Sequence, residues 1–217
     1  MRKKELLTKF AEVDLYPVTC EALSAGRSNL EVLDGILDGG AKIVQLRDKT
    51  LEMRDLFELA QIFREKTRSA GALLIINDHI DLALAVEADG VHLGQADFPL
   101  PAARRLAPEL IIGRSSHNLA QALKAQADGA DYVNIGPIFL TGTKPEHKVF
   151  LGPDAINSIG GQLDIPFTVM GGINETNIAE VVAAGARRVA VVTAVTQAAD
   201  IAEAVRRLRS LIHHGTE

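Results

Sequence analysis

Arg47 and Lys49 stand two residues apart in the run Gln45-Leu-Arg-Asp-Lys. In extended chain, residues two apart face one side. Two cations converging there suit a phosphate or diphosphate; a solvated charge pair is the plainer alternative. Asp78 ends the run Leu73-Leu-Ile-Ile-Asn-Asp, and Asp97 ends His92-Leu-Gly-Gln-Ala-Asp. Two carboxylates at neighbouring strand ends could hold a Mg²⁺ that also meets substrate phosphates. Singly, Asp78 reads better as a helix cap and Asp97 as a turn opener, and His92 as a packed histidine. Farther along, Thr141-Gly142-Thr143-Lys144 offers two hydroxyls, a glycine and a cation, a set suited to gripping an anion. A Schiff base on Lys144 would need a desolvated lysine, and this loop is polar. Gly171-Gly172 lets backbone approach a ligand closely, and Val192-Thr193 ends the next apolar run. Ser115, Ser116, His117 and Asn118 precede a helical stretch, where such residues usually cap. Their spacing argues no Ser-His-Asp triad.

These residues need elements to carry them. One pattern recurs: a helical stretch, then Gly, then a short apolar run, as in Asp38-Gly-Gly-Ala-Lys-Ile-Val-Gln-Leu and Asp128-Gly-Ala-Asp-Tyr-Val-Asn-Ile-Gly. The runs are short and lack strict alternation, as expected of strands covered on both faces. Strands are expected to begin near residues 15, 42, 72, 90, 110, 132, 166 and 188. Helical patterns cover Leu51–Ser69, Leu119–Ala127, Asn174–Ala184 and Ala198–Ile212. The expected fold is α/β, a single-domain (β/α)₈ TIM barrel over residues 1–217, with loose ends at about 1–12 and 213–217. The competing open doubly wound sheet needs a glycine fingerprint after its first strand, and Tyr16-Pro-Val-Thr-Cys-Glu has none. In a barrel the residues above fall at the C-terminal strand ends, where barrel chemistry gathers, and Gly171–Gly172 with Val192–Thr193 falls where many barrels bind phosphate. Two anion sites on one face imply two phosphorylated substrates, or one with phosphates at both ends.

Composition narrows the partners. There are 23 basic and 28 acidic residues, a net charge of −5, with no basic stripe, so nucleic acid is not expected. Aromatics are 4% and Trp is absent, which argues against a base-stacking platform. The longest run without Asp, Glu, Lys or Arg is Tyr132–Thr143. It falls short of the roughly 18 apolar residues of a membrane span. Cys20 is the single cysteine, so no intramolecular disulfide forms. Small-molecule substrates and a cytoplasmic location are expected, and a homo-oligomer is compatible with the sequence.

The ordered segments Tyr16-Pro-Val-Thr, Gln45–Lys49, Asn77-Asp78, His92–Asp97, Gly113-Arg-Ser115, Gly136–Phe139, Thr141–Lys144, Gly171-Gly-Ile173 and Val192-Thr193 closely resemble the thiamine phosphate synthase family. The resemblance implies a transferase. It would join 4-amino-5-hydroxymethyl-2-methylpyrimidine diphosphate to 4-methyl-5-(2-phosphoethyl)thiazole, plain or carboxylated, releasing thiamine phosphate and pyrophosphate. It implies that Gln45, Arg47, Lys49, Asn77, Ser115 and Lys144 bind the diphosphate substrate. Asp78 and Asp97 would hold Mg²⁺, and Thr141, Thr143, Gly172, Val192 and Thr193 would bind the thiazole phosphate. Leu46, Asp48, Gly142 and Gly171 belong to the same binding segments. Arg47, Lys49, Ser115 and Lys144 are the expected catalytic groups, assisting a dissociative departure of pyrophosphate. The chain departs from the family pattern at Cys20, Leu140, Met170 and Thr193. A thiazole tautomerase would place a His where this chain has Pro137. A non-catalytic binder of the same precursors would have no need of a metal pair.

Overall fold

The computed structural model describes residues 2–141 and 150–214. Eight parallel strands form the sheet: β1 (Leu15–Pro17), β2 (Ile43–Leu46), β3 (Leu73–Asn77), β4 (Gly90–Leu93), β5 (Ile111–Ser116), β6 (Tyr132–Ile135), β7 (Phe167–Met170) and β8 (Val189–Val191). Their order is β1-β8-β7-β6-β5-β4-β3-β2. The edges meet where Val18 bridges Gln45, with Thr19 N–H donating to Gln45 O at 2.9 Å. The eight strands thus make a nearly closed barrel, and every strand start lies within one residue of its expected position.

Helices α2 (Asn29–Asp38), α3 (Met53–Ser69), α4 (Ile80–Ala85), α5 (Leu100–Leu106), α6 (Leu119–Ala127), α7 (Asp154–Gly160), α8 (Ile178–Ala183), α9 (Thr193–Thr196) and α10 (Ile201–His214) lie between and after the strands. Strand residues facing outward, such as Val44, Leu74, Ile76, Val91, Ile112, Val133 and Val169, join one large core with the helices. The helix starts are set locally. Ser28 and Glu31 form a capping box on α2, and the Asn118 side chain accepts from Gln121 N–H at α6.

The inward positions make a second core of Tyr16, Ile43, Leu73, Ile75, Ile111, Tyr132 and Ala190. Above these, further along the same two-residue period, come polar groups: Gln45, Asn77, His92, Ser115, Asn134 and Thr168. The barrel is therefore apolar toward its N-terminal end and polar at its mouth.

Residues 2–11 are not a loose end. Residues Arg2–Ala11 form α1, which buries Leu6 and Phe10 in the inner core. The Phe10 ring lies 4.7 Å from that of Tyr132, and Arg188 Nε donates to Phe10 O. The charges at Lys3, Lys4, Glu5 and Lys9 hide an i, i+4 apolar pair. That pair needs the open barrel floor to bury against, and local sequence does not show it. At the other end, His213 and His214 close α10, and His213 Nε2 lies 2.8 Å from Asp14 Oδ2. Residues 215–217 are outside the described residues.

Gly113 is required by a close approach. A Cβ there would fall on the ring and hydroxyl of Tyr132, which is fully buried with Phe10 against it. Gly113→Ala is therefore expected to lower unfolding stability by about 3 kcal/mol, an overpacking cost. Urea unfolding reads it directly; an unchanged midpoint would contradict this placement of Tyr132.

Candidate active site

One cavity end at the barrel mouth is lined by Gln45, Arg47, Lys49, Asn77, Asp78, Asp97 and Ser115, among others. An adjoining end is lined by Thr141, Gly171, Gly172, Val192 and Thr193. Ser115, His117, Asn134, Met170, Ala190 and Val192 belong to both ends, so the two are continuous.

At the first end, Arg47 and Lys49 leave β2 together. Arg47 N–H donates to Thr19 Oγ1, and its Nη1 lies 3.3 Å from Cys20 Sγ. Lys49 Nζ sits 2.9 Å from Asp78 Oδ2. Asp78 adopts φ +63°, a left-handed conformation uncommon outside Gly, Asn and Asp. The turn is held by His79 N–H donating to Asn77 O at 2.7 Å and Asp78 N–H donating to His92 O at 2.8 Å. The cap at the start of α4 is His79, not Asp78. Asp97 accepts from Gly94 N–H at 2.6 Å, and its carboxyl meets that of Asp78 within hydrogen-bond reach. Burial and the neighbouring Asp78 carboxylate push Asp97 above the usual range. Burial alone would also raise Asp78, but the hydrogen bond from Asp97 and the Lys49 ammonium outweigh it and hold Asp78 low.

Two converging carboxylates with one raised form a site that gains from a cation. Their hard oxygens fit Mg²⁺, which commonly takes one or two carboxylates and completes its shell with water and substrate phosphate. Among the described residues no third His, Cys, Asp or Glu joins the pair.

At the second end, the strand β7 backbone runs into Gly171 and Gly172, at φ +110° and +64°. Their carbonyls are engaged elsewhere: Gly171 O accepts from Phe139 N–H at 3.0 Å and Gly172 O from Asn177 Nδ2 at 2.9 Å. In trans peptides the following N–H groups point the opposite way. Among the described residues, the N–H groups of Gly172 and Ile173 have no acceptor. Such paired N–H groups make an anion-binding concavity.

The structure places most of the expected residues on the cavity wall but not all. Leu46 faces outward into the helix-side core. Asp48 is buried away from this cavity, accepting from Thr50 N–H, Thr50 Oγ1, Leu51 N–H and Asn29 Nδ2. Gly142, Thr143 and Lys144 lie outside the described residues. Burial works to raise the Asp48 carboxyl, yet those hydrogen bonds outweigh it and hold it below the usual range. A depressed carboxylate stabilises the fold above its unfolded pKa of about 4 and loses that contribution as pH falls through the lower folded value. Asp48→Asn is therefore expected to cost about 2 kcal/mol at pH 7. The difference should shrink steadily below pH 4; thermal unfolding at pH 7 and pH 3 checks this, and an equal deficit at both would contradict it.

Sequence reasoning missed the polar layer beneath Ser115. Gln45 Nε2 donates to Tyr16 Oη at 2.9 Å, and Tyr16 Oη lies 3.0 Å from Tyr132 Oη. Tyr132 Oη lies 2.9 Å from His92 Nδ1, and His92 Nε2 lies 2.9 Å from Ser115 Oγ. Burial pushes both tyrosines above the ordinary phenol value, so both keep their protons. Asn134 and Thr168, bonded to each other at 2.8 Å, were also missed. The usable signal was the inward period of two shared with Gln45 and Ser115.

Comparison with known proteins places this geometry among relatives. A family model described as thiamine monophosphate synthase matches residues 15–195. The thiamine-phosphate synthase of Chloroflexus aurantiacus is 48% identical over 198 residues, covering 91% of this chain and 92% of the relative. That of Moorella thermoacetica is 48% identical over 200 residues, covering 92% and 95%. A solved thiamine phosphate pyrophosphorylase from Pyrococcus furiosus superposes with TM-score 0.88 at 35% identity, covering 98% of this chain and all of that one. A 3-hexulose-6-phosphate synthase at 17% identity and TM-score 0.70 shares the fold.

Proposed function

Since this chain belongs to the thiamine monophosphate synthase family, we propose that its two cavity ends hold the two substrates of that reaction. The activity is that of a thiamine-phosphate synthase, a transferase of thiamine biosynthesis. The observation that carries the reading of the site is the continuity of the two ends. Arg47, Lys49 and the carboxylate pair lie at one, and the glycine N–H groups lie at the other.

The diphosphate of the pyrimidine substrate lies against Arg47 and Lys49. Asp78 and Asp97 hold Mg²⁺, which when bound supplies positive charge to the departing diphosphate. Arg47 and Lys49 neutralise the charge that grows on the leaving oxygens, where preorganised cations act most strongly. The thiazole phosphate sits on the Gly172 and Ile173 N–H groups, which fixes the ring nitrogen in line with the pyrimidine methylene carbon. The carbon–oxygen bond breaks, and the nitrogen lone pair closes on the pyrimidinylmethyl cation. No side chain needs to act as nucleophile or base, in keeping with a mouth rich in cations and hydrogen-bond donors.

The test is an assay with purified protein, Mg²⁺, the pyrimidine diphosphate and the thiazole phosphate, following thiamine phosphate and pyrophosphate separately. Both should appear in equal amounts, and EDTA should stop them. Turnover insensitive to EDTA would remove the metal from the site. Thiazole phosphate binding without product would point to a tautomerase or a binding protein.

A further inference from the structure

The chain of hydrogen bonds under the cavity has one end anchored. Gln45 Nε2 can only donate, so Tyr16 Oη accepts there. The Tyr16 proton then has one acceptor among its bonded partners, the Tyr132 oxygen. Tyr132 in turn has one acceptor left for its own proton, His92 Nδ1. If His92 carried a proton on Nδ1, a hydroxyl proton in this buried chain would have no acceptor, and such an orphan is costly. The count leaves the proton on Nε2, which donates to Ser115 Oγ.

We infer that Tyr16 and Tyr132 are positioning residues, which hold His92 as the Nε2–H tautomer so that Ser115 presents its hydroxyl proton to the cavity. The same polarity acts at the other end. Gln45 has one amide N–H bound to Tyr16 Oη, which fixes the rotation of an amide that lines the cavity and leaves its carbonyl oxygen as an acceptor for a substrate N–H group. One buried chain from β2 through β1, β6 and β4 to β5 therefore sets an acceptor on Gln45 and a donor on Ser115. A substrate with an amino group and an anionic oxygen matches that pair.

The inference about turnover rests on Ser115 touching substrate, as proposed above; the tautomer itself does not. The first measurement is therefore ¹⁵N NMR of the His92 ring in the unmodified protein at neutral pH. The Nε2–H pattern is expected, and an Nδ1–H or doubly protonated ring overturns the inference. The second is a kinetic cycle. Ser115→Ala is expected to lower kcat about 100-fold, the size typical of one lost donor. Tyr132→Phe should lower kcat about 10-fold, as loss of an outer partner does, with KM for the pyrimidine diphosphate little changed. The double variant should be no slower than Ser115→Ala alone, because Tyr132 acts through Ser115. Multiplying losses would mean a merely structural role and overturn it. If Tyr132→Phe fails to fold, Tyr16→Phe takes its place in the cycle, with the same expected result.

Discussion

Asp78→Asn is expected to lower kcat about 1,000-fold while leaving the unfolding midpoint unchanged, a loss of about 4 kcal/mol at the transition state. Asparagine is chosen because it separates two roles of this residue. The backbone at Asp78 is left-handed, at φ +63°, and Asn takes that conformation as readily as Asp does. If Asp78 serves only to shape the turn between β3 and α4, the variant keeps full activity. If its charge holds the metal with Asp97, the amide removes a ligand charge and frees Lys49 from its 2.9 Å partner. Removing one carboxylate also relieves the crowding that raises Asp97, and this offsets the bonds from Asp97 and Lys49 that the fold loses. Turnover measured across a range of Mg²⁺ concentration decides the matter. A loss that recovers at high Mg²⁺ reports weakened metal binding; near-parental turnover throughout removes Asp78 from the site.

The conformation at Asp78 illustrates what local sequence withholds. Its position after Leu73-Leu-Ile-Ile marks it as a strand-end residue, and a barrel then places it at the mouth beside Arg47 and Lys49. Those steps need only the two-residue period and the parallel order of strands. The hydrogen bond between Asp97 and Asp78 needs two loops to meet, and no local pattern encodes that. The same holds for Tyr16 and Tyr132. They are separated by 116 positions, and each alone reads as an aromatic in a strand. Gly113, beside Tyr132, looks like a weak point in β5 until the ring that fills its missing side chain is seen. Asp48 misled in the opposite direction. It lies between two cations that line the cavity, but alternation turns it away, and the following turn together with Asn29 takes up its carboxylate oxygens. The helix α1 was hidden for a thermodynamic reason. Its apolar face is only Leu6 and Phe10 with Leu7 beside them, too little to hold a helix in water, and it becomes stable only against the barrel floor.

Gly172→Ala is expected to raise KM for the thiazole phosphate about 100-fold and to leave the affinity for the pyrimidine diphosphate unchanged. Two costs add. An L-residue in the left-handed region at φ +64° loses about 1–2 kcal/mol. The new Cβ would also lie 2.5 Å from Leu140 O and 2.9 Å from Phe139 Cβ, an overpacking cost of about 1–3 kcal/mol. A total near 3 kcal/mol corresponds to roughly 100-fold in affinity. The strain has two outlets. If the loop keeps its shape, the cost appears as lost stability; if the loop turns to relieve the contact, the N–H of Ile173 swings away from the anion. The second outlet is the easier one. The carbonyl of Gly172 is held by side-chain amides of Asn174 and Asn177, whereas Gly171 is tied to Phe139 through backbone. A turn of the Gly172–Ile173 peptide therefore breaks only side-chain bonds. Measuring KM for each substrate together with the unfolding midpoint tests the assignment of the two ends at once. A rise confined to the thiazole phosphate fixes that substrate at the glycine pair. A rise confined to the pyrimidine diphosphate would reverse the two ends, and no change in KM or stability would mean that the anion is held elsewhere.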